Sequence, residues 1–242
     1  MNVLAIGNSF SEDATRYLHQ IAKAQGTPLT VVNLVIGGCS LERHYRCMLG
    51  ASKDYILFFN GENTGFHISL EEALLSRQFD VITLQQASHF SFRAETFTPY
   101  LAELVDYVRT YQPQAKVYFH ETWAYEDGSD RLHNLAGFDT MQQMTNAIHT
   151  AVATATAEED IDGIIPSGAL MQALSLQNIG KVHRDTFHAG FGFPRYALGL
   201  LWFKMLTGKT VAENAFSSLD EPATPEQFAA AKAYVDALPP LV

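Results

Sequence analysis

The chain has 242 residues, 47% of them hydrophobic and 17% charged, which is enough to bury the core of one full-sized α/β domain over residues 1–242. The formal net charge is −10 and no run of lysines or arginines occurs, so like-charge repulsion argues against a nucleic acid or an anionic membrane as a partner. The longest apolar stretches are too short to span a bilayer.

The start of the chain and its cysteines bear on the compartment. The first predicted strand begins at Asn2, which leaves no room for a signal peptide, so a cytoplasmic protein is expected; a secreted or periplasmic protein is the alternative if a signal peptide has been removed. Cys39 and Cys47 lack the spacing of a zinc site or a disulfide framework, and reduced thiols are expected. The sequence predicts no metal and no cofactor, and it does not indicate an oligomeric state.

Strand-like and helix-like segments alternate along the chain. In chain order, the patterns predict a strand at 2–6, a helix at 11–26, strands at 29–36 and 80–84, a helix at 97–111, a strand at 116–120, a helix at 139–157, a strand at 162–165, and helices at 167–176, 193–206 and 225–237. Strands that are continuous apolar runs between helices are typical of a parallel sheet covered on both faces. The predicted fold is therefore α/β, a flavodoxin-like three-layer α/β/α sandwich with a central parallel sheet.

One segment interrupts this alternation. Residues 55–68 contain two aromatic strand-like runs around Asn60 and Gly61, a dipeptide that favours a tight hairpin turn. A β-hairpin insertion is predicted there, outside the main sheet and near its rim.

Polar residues follow the predicted strands at their carboxyl ends, where open α/β sheets bind ligands. Ser9 follows the first strand, and Gly37 and Gly38 follow the second. After the later strands come, in order, Gln85, Gln86, Ser88 and His89; then Glu121 and Trp123; and, near the end of the chain, Asp185 and His188. These loops converge in the predicted fold, so the side chains are expected to share one site.

The residue types at these positions fit acyl transfer through a serine. A serine hydroxyl needs a base to remove its proton, and the base needs an acid to orient and stabilise it. His188 and Asp185, three residues apart, supply both roles for Ser9. The backbone N–H groups of Ser9 and Gly38 and the side-chain amide of Gln85 are predicted to form an oxyanion hole.

The segments GNSFS, IGGCSL and DTFH, together with an amide after the third strand, resemble the SGNH (GDSL-like) hydrolases, in particular the DUF4886-type branch. The resemblance covers essentially the whole chain. It implies the SGNH fold, with Ser9 as the nucleophile, Asp185 and His188 as its partners, and Gly38 as an oxyanion donor.

Two features depart from the pattern of that superfamily. Asn8 stands where the usual motif has aspartate, and LQQASHF stands where the third motif, Gly-x-Asn-Asp, is expected. Gln85 is predicted to replace the missing asparagine, with Gln86 as the alternative. Ser11 is predicted to cap the first helix, which would leave Ser9 free for chemistry.

The predicted function is a serine esterase that removes a short acyl group, most readily acetyl, from a carbohydrate or glycan ester. Trp123 and His89 are predicted to bind the substrate, with Trp123 stacking on a sugar ring, whereas Trp202 is predicted to lie in the core. The alternatives are a catalytically inactive carbohydrate-binding module of the same fold and a lipase or thioesterase of the same fold.

Overall fold

A seven-stranded sheet forms the centre of the computed structural model, which describes residues 1–241. The strands are β1 (Asn2–Gly7), β2 (Thr30–Val35), β3 (Tyr55–Phe59), β4 (Glu62–Ile68), β5 (Val81–Leu84), β6 (Lys116–Glu121) and β7 (Gly163–Pro166). They lie in the order β4-β3-β2-β1-β5-β6-β7. From β2 to β7 all pairings are parallel, so the carboxyl ends of these strands meet at one edge of the sheet.

Helices cover the sheet in two groups. They are α1 (Ser9–Thr15), α2 (Leu18–Ala24), α3 (Leu41–Leu49), α4 (Leu70–Ser76), α5 (Tyr100–Tyr111), α6 (Met141–Thr156), α7 (Ser167–Leu176), α8 (Phe193–Thr207) and α9 (Pro225–Ala237). The group α1, α2, α7, α8 and α9 packs together, with α6 against α7, and α3, α4 and α5 form a second group. The predicted α/β fold class is confirmed. No helix in the part of the chain that the structure describes is long and apolar enough to cross a membrane.

The predicted hairpin forms, but it belongs to the main sheet. β3 pairs antiparallel with β2, and β4 pairs antiparallel with β3 at the sheet edge. Asn60 explains this docking, because its side-chain oxygen accepts a hydrogen bond from Val31 N at 2.9 Å and its own N–H donates to Val31 O. The sheet is therefore mixed rather than purely parallel, and the predicted position outside it was wrong.

Helix α8 is apolar on all sides and buried along almost its whole length. It packs against α1, α2, α7 and α9, which is why it has no solvent-facing stripe. Trp202 lies within it and is fully buried, as predicted. The two charged residues of this helix, Arg195 and Lys204, both pair with aspartates at its ends.

The predicted helix at 11–26 divides into α1 and α2 at Arg16 and Tyr17. The break lets the Tyr17 hydroxyl donate to Phe191 O at 2.6 Å and accept from Asp220 N at 2.7 Å. The Tyr17 side chain therefore joins the end of α1 to the segments that precede and follow α8.

Candidate active site

Ser9, His188 and Asp185 form a continuous hydrogen-bonded chain. His188 Nε2 lies 2.8 Å from Ser9 Oγ, and His188 Nδ1 lies 2.7 Å from Asp185 Oδ2. The backbone N–H of His188 also donates to Asp185 Oδ1 at 2.9 Å, which fixes the carboxylate in the loop. The structure thus brings together the three residues for which the sequence predicted nucleophile, base and acid.

The loop that carries the acid and the base is tightly constrained. Burial would raise the pKa of Asp185, but the hydrogen bonds from the side chain and backbone of His188 outweigh it and lower that pKa. Thr186, between the two residues, has φ of +75°, a conformation that is unfavourable for a β-branched side chain. Its carbonyl accepts from Glu126 N at 2.8 Å, which helps to hold the turn. The Asp185 carboxylate therefore stays ionised at pH values below those at which an ordinary aspartate becomes protonated.

Asn8 caps α1 and positions Ser9 as the first helical residue. Its side-chain oxygen accepts from Phe10 N at 3.0 Å, so Asn8 and not Ser11 is the N-cap. Its amide nitrogen donates to Cys39 O at 3.0 Å, which joins the serine turn to the loop after β2. A carboxylate could not make that second bond, so an asparagine at this position has a physical reason.

Gln85 does not point into the site. Its amide nitrogen donates to Asn8 Oδ1 at 2.7 Å, and its carbonyl lies 3.0 Å from His120 Nδ1, whose other ring nitrogen lies 3.0 Å from Ser167 Oγ. Gly7 leaves room for this contact, because a Cβ there would approach Gln85 Oε1 to 2.6 Å. Gln85 supports Asn8 through these bonds and does not line the cavity at Ser9, where the sequence predicted it as an oxyanion donor.

The side chain of the alternative residue, Gln86, also forms its hydrogen bonds with other parts of the protein. Its carbonyl accepts from Leu41 N and Ala87 N, each at 2.9 Å, and its amide nitrogen donates to the backbone and hydroxyl oxygens of Thr96. Gln86 therefore holds three loop segments together and does not offer a donor to a substrate.

Two backbone donors remain at the serine turn and the loop after β2. The N–H groups of Ser9 and Gly38 have no acceptor among residues 1–241. Gly38 has φ of +63°, a conformation that glycine adopts without strain, so the glycine secures the direction of its N–H. Both donors were predicted from the sequence.

A cavity of about 380 Å³ opens at Ser9, and we call it the main cavity. Its walls come from the ends of β1, β2 and β5, from the late loop and from the π-helical turn at Arg131–Ala136: Asn8, Ser9, Phe10, Gly37, Gly38, Ser88, His89, Arg131, Phe187 and His188. His89, predicted to bind substrate, is among them. Ser88 and Arg131 were not predicted, although the position of Ser88 after β5 was a signal that could have found it.

Trp123 is fully buried and does not line this cavity. Its indole N–H donates to Phe187 O at 2.7 Å, and its ring packs against Phe10 with centroids 4.2 Å apart. The predicted stacking of Trp123 on a sugar was therefore wrong, because no face of the ring is accessible. Trp123 instead supports two cavity walls from behind.

Asp13, in α1, holds two elements against that helix: the loop that carries Asp185 and His188, and helix α8. It is fully buried and accepts from Arg184 at 2.9 Å, from Arg195 Nε at 2.8 Å and from Ala189 N at 3.0 Å. Two of these donors flank the segment that holds Asp185 and His188. The buried charge is paired and hydrogen-bonded, as stability requires.

Among residues 1–241 no group of three or more His, Cys, Asp or Glu side chains is placed to hold a metal ion. His120 and His133 are engaged elsewhere, His133 with Phe138 O at 3.0 Å.

The sheet and its flanking helices, with Ser9 at the end of β1 and with Asp185 and His188 in one late loop, have the fold of the SGNH hydrolases. A protein from Slackia heliotrinireducens proposed to be an SGNH hydrolase aligns with a TM-score of 0.61 and 20% identity, over 85% of this chain and 98% of its own. Axe2, an acetylxylan esterase from Geobacillus stearothermophilus, aligns with a TM-score of 0.50 and 15% identity, over 84% of this chain and 90% of its own.

The chain belongs to the DUF4886 family, a domain of unknown function, whose model matches residues 2–237. A DUF4886 family protein from Bacteroides uniformis is 33% identical, with a TM-score of 0.87, over 98% of this chain and 93% of its own. A search of the curated proteins finds no match. The resemblance to this family inferred from the sequence motifs is confirmed.

Proposed function

We propose that this protein is a serine ester hydrolase that works through an acyl-serine intermediate. The observation that carries the proposal is the hydrogen-bonded chain from Asp185 through His188 to Ser9, with Ser9 open to the main cavity. Those distances lie in the range that proton transfer to a general base requires. An inactive carbohydrate-binding module would have no need for this alignment.

The first half of the reaction forms the acyl-enzyme. Ser9 Oγ attacks the ester carbonyl carbon while His188 Nε2 takes the serine proton, and the carbonyl electron pair moves onto its oxygen. The tetrahedral intermediate then expels the alcohol oxygen, which takes the proton from His188. Asp185 stabilises the imidazolium in between, and its lowered pKa keeps it ionised for that task.

The second half releases the acid. Water gives a proton to His188 and attacks the acyl carbon, and the bond to Ser9 Oγ breaks as the proton returns to the serine. Because Asp185 holds His188 by both its backbone and its ring, the imidazole keeps one orientation through both halves.

The oxyanion in our proposal is bound by the N–H groups of Ser9 and Gly38 and by the hydroxyl of Ser88. Ser88 lines the main cavity, and its Oγ lies 3.1 Å from the hydroxyl of Tyr125. Burial raises the pKa of Tyr125, so its hydroxyl stays protonated and can donate to Ser88 Oγ. The proton of Ser88 is then free to point to the developing negative charge.

Ser88→Ala is expected to lower kcat by about 10²- to 10³-fold with little change in KM, because the lost bond forms only in the transition state. Steady-state kinetics on a small acetyl ester measure the two parameters. Ser91→Ala is the matched control: this serine is buried in the same loop, and its hydroxyl donates to Ser88 O rather than lining the main cavity.

Gln85→Ala tests the same assignment from the other side. It removes the partner of Asn8 Oδ1 and of His120 Nδ1, so its main expected effect is a loss of stability of about 1–3 kcal/mol. If Gln85→Ala lowered kcat as expected for Ser88→Ala, with stability unchanged, and Ser88→Ala did not, the amide would be the donor.

For the substrate we propose a short acyl ester of a carbohydrate. A side cavity of about 320 Å³ adjoins the main cavity and shares His89 and Arg131 with it. Phe90 and Phe92 line it and are partly exposed, so they offer the aromatic faces that Trp123 lacks. An acetylxylan esterase among the structural neighbours agrees with this choice.

A second candidate substrate is a longer acyl chain, because Leu135 and Ala136 join the two phenylalanines in the side cavity. Hydrolysis rates of p-nitrophenyl esters with two, four, eight and twelve acyl carbons separate the two, alongside acetylated oligosaccharides. We expect kcat/KM to be highest for acetyl and the acetylated sugars to be cleaved. Rates that rise beyond about eight carbons, with the sugars ignored, would establish a lipase or thioesterase instead.

A further inference from the structure

Arg131 stands at the junction of the main cavity and the side cavity. Arg131 and the uncharged His89 line both cavities, and Arg93 joins them in the side cavity. No aspartate or glutamate lines either cavity, although the chain has 26 acidic residues against 16 basic ones. The linings of the two cavities thus carry the cationic side chains of Arg131 and Arg93, in a protein of formal net charge −10.

The guanidinium of Arg131 is held by rings and not by a carboxylate. Its central carbon lies 3.9 Å from the centroid of Phe187 and 5.6 Å from that of Tyr125. Within residues 1–241 it makes no ion pair, whereas Arg184 and Arg195 beside the same loop are both paired with Asp13. Stacking fixes the plane of the guanidinium, and no carboxylate among residues 1–241 takes up its N–H donors.

We propose that the substrate carries a carboxylate close to its ester and that Arg131 binds this carboxylate. The inference rests on the esterase function proposed above and adds the charge of the substrate. The planar fork of a guanidinium matches the two oxygens of a carboxylate. A single negative charge also fits better than a polyanion, which the overall negative charge of the protein would repel.

His89 completes this end of the site without adding a charge. Burial lowers its pKa, and the neighbouring charges of Arg131 and Arg93 lower it further, so the imidazole is neutral at neutral pH. It can hydrogen-bond a sugar hydroxyl beside the carboxylate. Ser9 and His188 lie in the same cavity as Arg131, so an acid such as an O-acetylated uronic acid can reach both.

The test compares two substrates that differ only in charge: an O-acetylated methyl glucuronoside and its uronamide, in which a neutral amide replaces the carboxylate. We expect kcat/KM of the wild type to be at least about tenfold higher for the carboxylate, as one charge-assisted pair allows. In Arg131→Gln the ratio falls to near one, and Arg131→Lys, which keeps the charge, retains an intermediate ratio. Equal rates on the two substrates with the wild type would overturn the proposal.

Arg77→Gln is the matched control. Arg77 also stacks on an aromatic ring, that of Phe59 at 5.6 Å, and makes no ion pair in the described part of the chain, but it lines neither cavity. We expect the wild-type ratio in this variant. If the ratio of kcat/KM for the carboxylate to that for the amide fell similarly in Arg77→Gln and Arg131→Gln, the cause would be a long-range charge effect. That result would overturn the proposed carboxylate site at Arg131.

Binding of the product separates this proposal from the esterase proposal. The Ser9→Ala variant is titrated with methyl glucuronoside and with methyl glucoside, which needs no turnover. Tighter binding of the acid that disappears in Ser9→Ala with Arg131→Gln supports the site even if the wild type cleaves no ester. Cleavage of both esters at equal rates, with no preference in binding, leaves the esterase in place and removes the carboxylate site.

Discussion

Ser9→Ala is expected to lower kcat for ester hydrolysis on the order of 10⁶-fold, and His188→Ala by nearly as much, because serine and base act as one unit. Each loses the 2.8 Å bond through which the proton moves. Asp185→Asn is expected to cost less, on the order of 10⁴-fold, since the imidazole remains but loses its charged partner. Activity on a small acetyl ester measures all three.

A fluorophosphonate probe provides an independent readout, because it labels only an activated serine. We expect labelling of Ser9 in the wild type and none in His188→Ala. Ser218→Ala, a change at an exposed serine far along the chain, serves as the control and keeps both labelling and activity. A folded Ser9→Ala protein that still hydrolysed the ester at the wild-type rate would remove the mechanism.

Acid is expected to destabilise the fold well above the range in which carboxylates titrate. Burial lowers the pKa of His44 and of His120 to about 3 and that of His183 to about 4. In the unfolded chain each would have a pKa of about 6.5. Below that pH the unfolded state binds up to three more protons than the folded state, so the free energy of unfolding falls as pH falls.

The three imidazoles together set an upper slope of about 4 kcal/mol per pH unit between roughly pH 6 and 4. Two buried carboxyl groups act in the opposite direction. Burial raises the pKa of Glu12 and of Glu121, so the folded state itself takes up protons there as pH falls. If Glu12 and Glu121 each take up a full proton in the folded state, the net slope of the free energy of unfolding is about 1.4 kcal/mol per pH unit.

Urea unfolding at several pH values between 7.5 and 4.5 measures this slope. His120→Asn and His44→Asn each remove one imidazole that gains a proton on unfolding. Each variant should therefore reduce the slope by about 1.4 kcal/mol per pH unit. His67→Asn is the matched control, since His67 is exposed on the edge strand β4 and should leave the slope unchanged. A free energy of unfolding that stays constant from pH 7 to 5 would contradict the expectation.

Much of the fold was predictable because its central strands are continuous apolar runs and its late helices have strong boundaries. α7 and α9 begin and end where the patterns predicted them. The short helices α3 and α4 were missed, although Ser40 and the capping box of Ser69 and Glu72 mark their starts. The strand that pairs with the hairpin could not be predicted, because a turn dipeptide indicates the turn and not the neighbouring strand.

The proximity of Ser9, Asp185 and His188 was predictable, because motif and chemistry agreed at these residues. Gln85 and Trp123 show why the rest was not. Both follow a strand, and a linear sequence does not show whether a side chain there points to the ligand edge or back into the core. Ser88 reaches the main cavity only because the chain turns after β5, and Arg131 only because a π-helical turn brings it over Phe187.

The Asp13 cluster has a consequence for biosynthesis. Ser9 and His188 are 179 residues apart in sequence, and Asp13 and Arg184 are 171 apart, so the proposed catalytic site is completed by the late part of the chain. At ribosomal speed, roughly 10 to 40 seconds separate translation of the serine from translation of its base. During that interval the nascent polypeptide has a serine without general-base assistance. In the mechanism that we propose, Ser9 therefore gains its base only after the loop that follows α7 has emerged and docked.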